Sequence, residues 1–223
     1  MVAETLSGWR QYHYGAGHRA ERRSLLLHLS HKEFAYGTTC RVEDVELPCA
    51  LMAFMIRAAL VDDVCLLPDI ERAADAVFVG EGMASIADGE TMSIQDLLQY
   101  QRQGRAWVGT DNLDQPVAYI LLDLLEDVAH IEQVSVHPTH AGFGIGRQLI
   151  ERAGEWARQQ GCVALTLTTF ADVPWNAPYY ARLGFGIVPT NQLSPGLRGI
   201  RKHEAARGLD QWPRVAMCRP LGG

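Results

Sequence analysis

The stretch VSVHPTHAGFGIGRQLIERAGEWARQQG (residues 134–161) decides the fold. It begins as a β-branched strand, passes through a glycine-rich loop and continues as a long amphipathic helix. Gly161 is well placed to end that helix. The stretch VALTLTT (163–169) follows as a strand, so strand, helix and strand predict a right-handed crossover between parallel strands. The apolar residues of the helix form one stripe: Ile145, Leu149, Ile150, Ala153, Trp156 and Ala157.

Three strands with tight connections precede the loop. They are RAWVGT (105–110), PVAYILLDLL (116–125) and AHIEQVSV (129–136), and the first two flank a turn at DNLDQ (111–115). Strands joined this closely are antiparallel neighbours. The sequence therefore predicts an α/β fold with a mixed, mostly antiparallel sheet and helices on both faces.

The flanking segments extend this pattern. A strand is expected at 55–60, and a helical pattern over 62–78 should be bent or divided by Pro68. Ser93 and Asp96 have the spacing of a helix start, and that helix should reach about Arg102. A helix over 175–183 and strands at 184–188 and 214–219 complete the chain.

The chain divides near residue 48. Residues 1–47 mix charges, His and Tyr, and are read as an N-terminal extension in which 17–31 could form a short amphipathic helix. The main domain is expected over 48–223. His28 and His31 are three residues apart, but no further ligands complete a metal site, so no metal is expected.

Composition excludes several partners. The 223 residues carry a formal net charge of −6, which disfavours a broad nucleic-acid surface. No apolar run approaches the ~20 residues that a membrane span needs. The number of cysteines is odd and no C-x-x-C pair occurs, which favours a reducing cytoplasm over a disulfide framework. The five cysteines are Cys40, Cys49, Cys65, Cys162 and Cys218.

The loop between strand and helix has the features of an anion cradle. Gly142, Gly144 and Gly146 let backbone N–H groups approach a ligand, and the helix start adds unpaired donors and a positive dipole end. The spacing G-x-G-x-G differs from the dinucleotide pattern, and the chain lacks the GK[ST] of a P-loop. The alternative is a glycine turn that only starts a helix.

This stretch, together with NAPYYARLGF (176–185), resembles the GNAT superfamily of acyl-CoA-dependent N-acyltransferases. The similarity covers most of residues 55–188, in the family's order of elements. The resemblance implies acetyl-CoA as cosubstrate, an amine acceptor, and a sheet whose fourth and fifth strands splay apart. One position departs from the family pattern, since Ala141 stands where a Gln or Arg is usual, which removes one side-chain contact to the cofactor.

The resemblance also implies the residues that hold the cofactor. The loop would bind the pyrophosphate, the end of the preceding strand would offer main-chain groups to the pantetheine arm, and Asn176 would meet that arm at the start of a helix. Asn176 could alternatively serve as an ordinary helix cap. The expected cofactor-binding residues are Val134, Ser135, Val136, Ala141, Gly142, Phe143, Gly144, Ile145, Gly146, Arg147 and Asn176.

Glu132 and Tyr180 are the catalytic candidates. Glu132 is a carboxylate in an apolar strand, where burial would raise its pKa and suit it to act as a base; strand alternation puts it on the face of Val134 and Val136 unless a bulge intervenes. A structural ion pair is its alternative role. His130 is a substitute base and is expected at the surface.

Tyr180 occupies the Tyr of the family's Y-x-x-x-G-F pattern and would protonate the leaving thiolate. Its alternative is a core aromatic, and its neighbour Tyr179 is expected to pack. By the same resemblance, the N–H of Val136 or its neighbour would stabilise the oxyanion. Glu71, Asp75 and Phe78 fall in the region that shapes acceptor pockets in the family.

The sequence thus predicts an acetyl-CoA-dependent N-acetyltransferase that transfers directly to a primary amine, which we expect to be a small molecule such as an amino-sugar antibiotic or a polyamine. No cysteine lies in a nucleophile context, which disfavours an acetyl-enzyme. A peptide amine acceptor and a noncatalytic acyl-CoA-binding sensor are the alternatives. Neither nucleic acid nor membrane is expected as a partner, and a homodimer is compatible with this interpretation.

Overall fold

The computed structural model describes residues 54–222. The predicted extension 1–47, His28, His31, Cys40 and Cys49 lie outside this range. The described residues form one seven-stranded sheet in the order β1-β2-β3-β4-β5-β7-β6. Its strands are β1 Met55–Ala58, β2 Ala106–Thr110, β3 Pro116–Leu125, β4 Val128–Val136, β5 Ala164–Phe170, β6 Gly186–Val188 and β7 Arg214–Pro220.

Helices cover both faces of this sheet, as the sequence predicts. On one face α4 packs its apolar stripe onto the strands in the largest core cluster, which includes Leu149, Ile120 and Leu165. On the other face α1 and α3 pack over Tyr119 and Leu121. The helices are α1 Leu67–Asp75, α2 Ala84–Ala87, α3 Ile94–Arg102, α4 Ile145–Gln159, α5 Ala177–Arg182 and α6 Pro195–Ala206.

The predicted helix boundaries are confirmed by their local chemistry. Pro68 divides the pattern over 62–78, because a short 3₁₀ helix ends at Leu66 and Pro68 sits in the first turn of α1. The Ser93 hydroxyl accepts a hydrogen bond from the Asp96 N–H and caps α3. Gly161, with φ of +79°, follows the end of α4.

The strand pairing is mostly antiparallel, and the one exception is the predicted parallel pair β4 and β5. These two strands pair only from Val128↔Ala164 to Ile131↔Leu167. Beyond that point β4 continues to Val136 beside β3, while β5 continues to Phe170 beside β7. The central strands therefore separate, and the predicted splay is confirmed.

Helix α6 was not predicted. The Ser194 hydroxyl caps it by accepting from the Leu197 N–H, and Glu126 accepts hydrogen bonds from the Ser194 hydroxyl and the Gly196 N–H. Leu197 packs on Ala216 of β7, whereas the adjacent Met217 faces the core under α4. Since neighbouring strand residues point to opposite faces, α6 lies on the same face as α1 and α3.

Candidate active site

The opening between β4 and β5 exposes one edge of β4. The His137 N–H donates to the Val117 carbonyl at 2.8 Å, so His137 and Ser135 direct their main-chain groups toward β3. Because these groups alternate along a strand, Val134 and Val136 direct theirs to the other edge. Within residues 54–222 no strand pairs with that edge beyond Ile131. The edge can therefore receive an extended, amide-bearing ligand.

The glycine loop lies at the far end of this edge. Gly142 and Gly144 have φ of +83° and +82°, a conformation that L side chains rarely adopt, and a Cβ on either would meet no atom within 4 Å. Gly144 directly precedes α4, whose first N–H groups lack helical partners. Arg147 projects into solvent in the first turn. The loop thus offers open space, free amide donors and a positive charge, which is the chemistry that a diphosphate requires.

The remaining cofactor-binding candidates differ in the exposure of their side chains. Ala141 and Phe143 are exposed on the loop, while Ile145 is buried under it and anchors the start of α4. Ser135 offers no side chain to the opening, because its hydroxyl accepts a hydrogen bond from Gln133 on the α1 face at 2.8 Å. Because the main-chain groups of Ser135 also point toward β3, Ser135 lies in the edge strand without offering a polar group to the free edge.

Two further candidates belong to helix α5 and its start. Asn176 precedes α5, but its side chain makes no capping hydrogen bond, so the ordinary cap role does not occupy it. The Tyr180 ring packs edge-on against Phe185, with centroids 5.9 Å apart. Burial raises the pKa of Tyr180, so the phenol keeps its proton at neutral pH. Its hydroxyl has no partner among residues 54–222 and is not sealed from solvent.

Glu132 lies at the mouth of the opening, in a β-bulge. Leu121 pairs with Gln133 and Leu122 with Ile131, so Glu132 is the extra residue of β4. The bulge shifts the alternation of side chains along β4 by one residue. Val134 and Val136 therefore pack on the same core as Ile131. Glu132 therefore does not share their face, and the physical reason is the bulge that the sequence analysis gave as the alternative.

The surroundings of Glu132 suit a base. Its side chain is exposed to the opening and makes no ion pair within the described part of the chain. The neighbouring protein atoms, which displace water, raise its pKa, and the carboxylates of Asp123 and Glu204 raise it further. Arg207 and Arg214 act in the opposite direction. A carboxyl with a raised pKa is a better proton acceptor than one in water.

His130 is buried, which corrects the expectation of a surface histidine. Only 1% of it is exposed, and its Nδ1 lies 3.1 Å from the Thr166 hydroxyl of β5. Burial lowers its pKa to about 4, although Asp123 and Glu204 act to raise it. His130 is thus a neutral core residue at physiological pH.

The α1 face supplies further polar groups near the opening. Glu71 accepts a hydrogen bond from the hydroxyl of the buried Tyr119 at 2.9 Å. One helical turn on, burial together with Glu71 raises the pKa of Asp75 to about 6. Phe78 follows and stacks against Trp175 at 5.9 Å, and Trp175 is 39% exposed. The sequence analysis named these residues through the family resemblance, and the i, i+4 spacing of the two carboxyls puts them on one face of α1.

Sequence reasoning missed the contribution of α6. Burial raises the pKa of Glu204, but Arg214, the Thr168 hydroxyl and Arg201 together hold it below its ordinary value. Arg214 and Arg201 pair with it at 2.6 and 2.5 Å. Arg207 follows α6, and its charge acts on both Glu71 and Glu132. Because the sequence analysis did not predict α6, it had no basis for placing Glu204 or Arg207 near β4.

No group of three or more His, Cys, Asp or Glu side chains between residues 54 and 222 could hold a metal ion. In the same range no helix has the length and hydrophobicity of a membrane span.

Comparisons with known proteins agree with this geometry. The family model "Acetyltransferase (GNAT) family" matches residues 78–185. A glucosamine 6-phosphate N-acetyltransferase of Trypanosoma brucei brucei is 38% identical over 58 residues. That match covers 26% of this chain and 37% of the relative, so it spans little more than a third of the relative's length.

Solved structures share the fold. The ribosomal-protein-S18-alanine N-acetyltransferase of Escherichia coli superposes with a TM-score of 0.53 at 18% identity, covering 77% of this chain and 96% of that one. The PaiA N-acetyltransferase of Thermoplasma acidophilum, solved with coenzyme A, gives 0.56 at 15% identity and covers 76% and 99%. Residues 78–185 thus match the GNAT acetyltransferase family model, and the described chain shares the fold of these acetyltransferases.

Proposed function

We propose that this protein is an N-acetyltransferase that transfers the acetyl group of acetyl-CoA to the primary amine of a small molecule, directly within a ternary complex. One observation carries the proposal: β4 and β5 part after Ile131 and Leu167, with Glu132 at the mouth of the opening and the glycine loop at the end of β4. The match of residues 78–185 to the GNAT acetyltransferase family model supports the same reaction.

The donor binds along the free edge of β4. The N–H groups from Gly142 to Arg147 hold the diphosphate, and Val134 and Val136 pair with the amides of the pantetheine arm. Asn176 contributes its unbonded side chain to the arm. This arrangement directs the thioester toward Tyr180 and the opening.

The reaction needs a neutral amine and a protonated leaving group. A typical alkylammonium has a pKa near ~10, so Glu132 takes a proton from it, directly or through water. The amine nitrogen then bonds to the thioester carbon while an outward-facing main-chain N–H of β4 close to the opening stabilises the oxyanion. The carbon–sulfur bond breaks and Tyr180 donates its proton to the thiolate. The nitrogen loses its second proton to water as the amide forms, and the Tyr180 phenolate regains a proton from water.

Direct transfer is supported by the state of the described thiols. Burial raises the pKa of both Cys162 and Cys218, the former with help from Asp127, so less of each is present as thiolate. The unpaired state of Cys65, Cys162 and Cys218 also fits the reducing cytoplasm that we propose as the location.

A small cationic acceptor fits the α1 face. Glu71, Asp75 and Glu132 surround the acceptor side with carboxyls, and Arg207 is the cation whose charge acts on Glu71 and Glu132. The relative from Trypanosoma brucei brucei acts, by its name, on glucosamine 6-phosphate, a phosphorylated amino sugar. Amino sugars and polyamines are therefore the first acceptors to test, and a peptide amine is the competing class.

Thiol release from acetyl-CoA, measured across amino sugars, polyamines and peptides, tests the proposal. The purified chain should release thiol only when an accepted amine is present, and initial-rate plots should intersect, as a ternary complex requires. Saturable acetyl-CoA binding without turnover on any amine would instead identify a sensor module. Turnover confined to peptides would overturn the small-molecule acceptor.

A further inference from the structure

Tyr179 packs, as expected, but its hydroxyl reaches the meeting point of three elements. The ring is half-buried against the main core. Its oxygen lies 3.5 Å from the position that a Cβ on Gly146 would occupy, and the Val136 Cγ2 atom is equally far from that position. The start of α4, the end of β4 and helix α5 therefore converge at this hydroxyl.

The ring of Tyr179 is fixed on two sides. It meets the ring of Tyr180 edge-on at 5.5 Å, and the guanidinium carbon of Arg182 lies 5.7 Å from its centroid. A phenol held in this way spends little entropy on forming a further hydrogen bond. The position of its hydroxyl is therefore a property of the fold.

The hydroxyl is also uncommitted. Among residues 54–222 it has no hydrogen-bond partner, and it is not sealed from solvent. Burial raises the pKa of Tyr179, while the positive charges of Arg147 and Arg182 act to lower it. A proton donor in positive surroundings, next to unpaired helix amides, suits an anionic oxygen.

We infer that the Tyr179 hydroxyl donates a hydrogen bond to the donor's phosphate group nearest the pantetheine arm. This inference rests on the proposed function and adds a ligand contact to it. The loop holds the diphosphate and Val136 holds the arm, so the covalent link between them passes the point where Gly146 and Val136 meet. The two adjacent tyrosines then have different tasks: Tyr179 holds the donor and Tyr180 protonates its sulfur.

The experiment compares two donors, acetyl-CoA and S-acetylpantetheine, which lacks all phosphates. With Tyr179→Phe, kcat/KM for acetyl-CoA should fall about fivefold to tenfold because KM rises, while kcat changes less than about twofold. The kcat/KM for S-acetylpantetheine should also change less than about twofold. Tyr180→Phe should instead lower kcat for both donors. A structural role for Tyr179 would weaken both donors alike, so an equal loss overturns the inference.

Calorimetric titration with CoA separates this inference from the proposed function. If the unmodified chain fails to bind CoA, the proposed function fails. If it binds CoA and Tyr179→Phe binds equally well, only the contact to Tyr179 is refuted. The melting temperature of Tyr179→Phe should match that of the unmodified chain within about 2 °C, since no internal hydrogen bond is lost.

Discussion

At the scale of single residues, the position of Glu132 matters most. A regular strand would have put its side chain on the face of Val134 and Val136, where α4 packs. One extra residue in β4 turns it away from that core, at the point where β5 leaves. The bulge therefore couples two features of the site, the carboxylate and the free strand edge.

Replacing Glu132 tests its proposed role as the base. The raised pKa of Glu132 means that its basic form appears as pH rises through a value above the ordinary one for Glu. In the unmodified enzyme, kcat/KM should rise through that pKa and then level. Glu132→Gln should lower the neutral-pH rate by about 10²-fold and move the rising limb toward the pKa of the amine.

The pH profile of kcat/KM on one amine, from pH 5 to 10, checks this expectation. Asp123→Asn should keep the rising limb but move it to lower pH, because the Asp123 carboxylate helps to raise the pKa of Glu132. Superimposable profiles for Glu132→Gln and the unmodified enzyme would refute the base assignment.

His130 makes acid stability a second residue-scale test. Its folded pKa of about 4 lies below the ordinary 6.5, so only the unfolded chain gains a proton between these values. The stability that His130 contributes is therefore present above pH 6.5 and lost as pH falls toward 4, by at most about 3 kcal/mol. Raised carboxyl pKa values, such as that of Asp75, act in the opposite direction.

A comparison of variants isolates the histidine, since the carboxyls are common to all. The difference in unfolding free energy between the unmodified chain and His130→Asn should shrink as pH falls from 7 to 4, measured by urea denaturation. His203→Asn, which changes an exposed histidine of α6, should show no such trend. A constant difference for His130→Asn would contradict the buried, neutral assignment.

The residue-scale comparison also shows what a sequence can predict. Glu132 stood out because a charge interrupts an apolar strand, and Tyr180 because of a spacing motif. The bulge was not predictable, since it depends on the register with β3 rather than on residues within β4. The burial of His130 was hidden for a similar reason, because its partner Thr166 belongs to a strand 36 residues away.

At the scale of elements, the position of the start of α4 on the sheet decides where the glycine loop lies. Gly109 in β2 has no side chain, and Ile145, the first residue of α4, occupies that space. A Cβ on Gly109 would lie 2.6 Å from Ile145 Cδ1 and 2.8 Å from its Cγ1. The absence of one methyl group in β2 therefore sets how deeply the start of α4 sits on the sheet.

Gly109→Ala should displace this helix start and with it the diphosphate cradle. We expect KM for acetyl-CoA to rise about fivefold, with a smaller change in kcat and a loss of about 1–3 kcal/mol of stability from overpacking. Gly109→Ala with Ile145→Val, which removes Cδ1, should recover part of both losses.

Gly199→Ala is the matched control, because a Cβ there meets no atom within 4 Å. It should leave KM unchanged and stabilise α6 by roughly 1 kcal/mol. An unchanged KM for Gly109→Ala would refute the claim that Gly109 positions the start of α4 and the loop before it.

The elements themselves were predictable to different degrees. The strands around the loop and helix α4 followed from alternation and a 3.6-residue stripe. Helix α6 was missed although Ser194 and Pro195 form a favoured helix start. Gly196 and Gly199 weaken its helical pattern, and the tertiary contacts of Leu197 and Glu204 stabilise it instead.

At the scale of the whole described molecule, the sheet separates two kinds of surface. The start of α4 presents open amides and Arg147, whereas the α1 face presents Glu71 and Asp75. Under the proposed function, an anionic donor and a cationic acceptor approach the opening from these two surfaces. This division of charge follows from the topology, because the opening between β4 and β5 connects the two faces.

The central claim is that the loop before α4 binds the diphosphate of CoA. Introducing a negatively charged side chain in place of Gly144 tests this claim most directly. Asp and Asn both tolerate a positive φ and both favour the position before a helix, so Gly144→Asp and Gly144→Asn differ chiefly in charge. Calorimetric titration with CoA should show one site per unmodified chain, binding by Gly144→Asn, and at least tenfold weaker binding by Gly144→Asp. Equal affinities for the two variants, or no heat with the unmodified chain, would contradict the account.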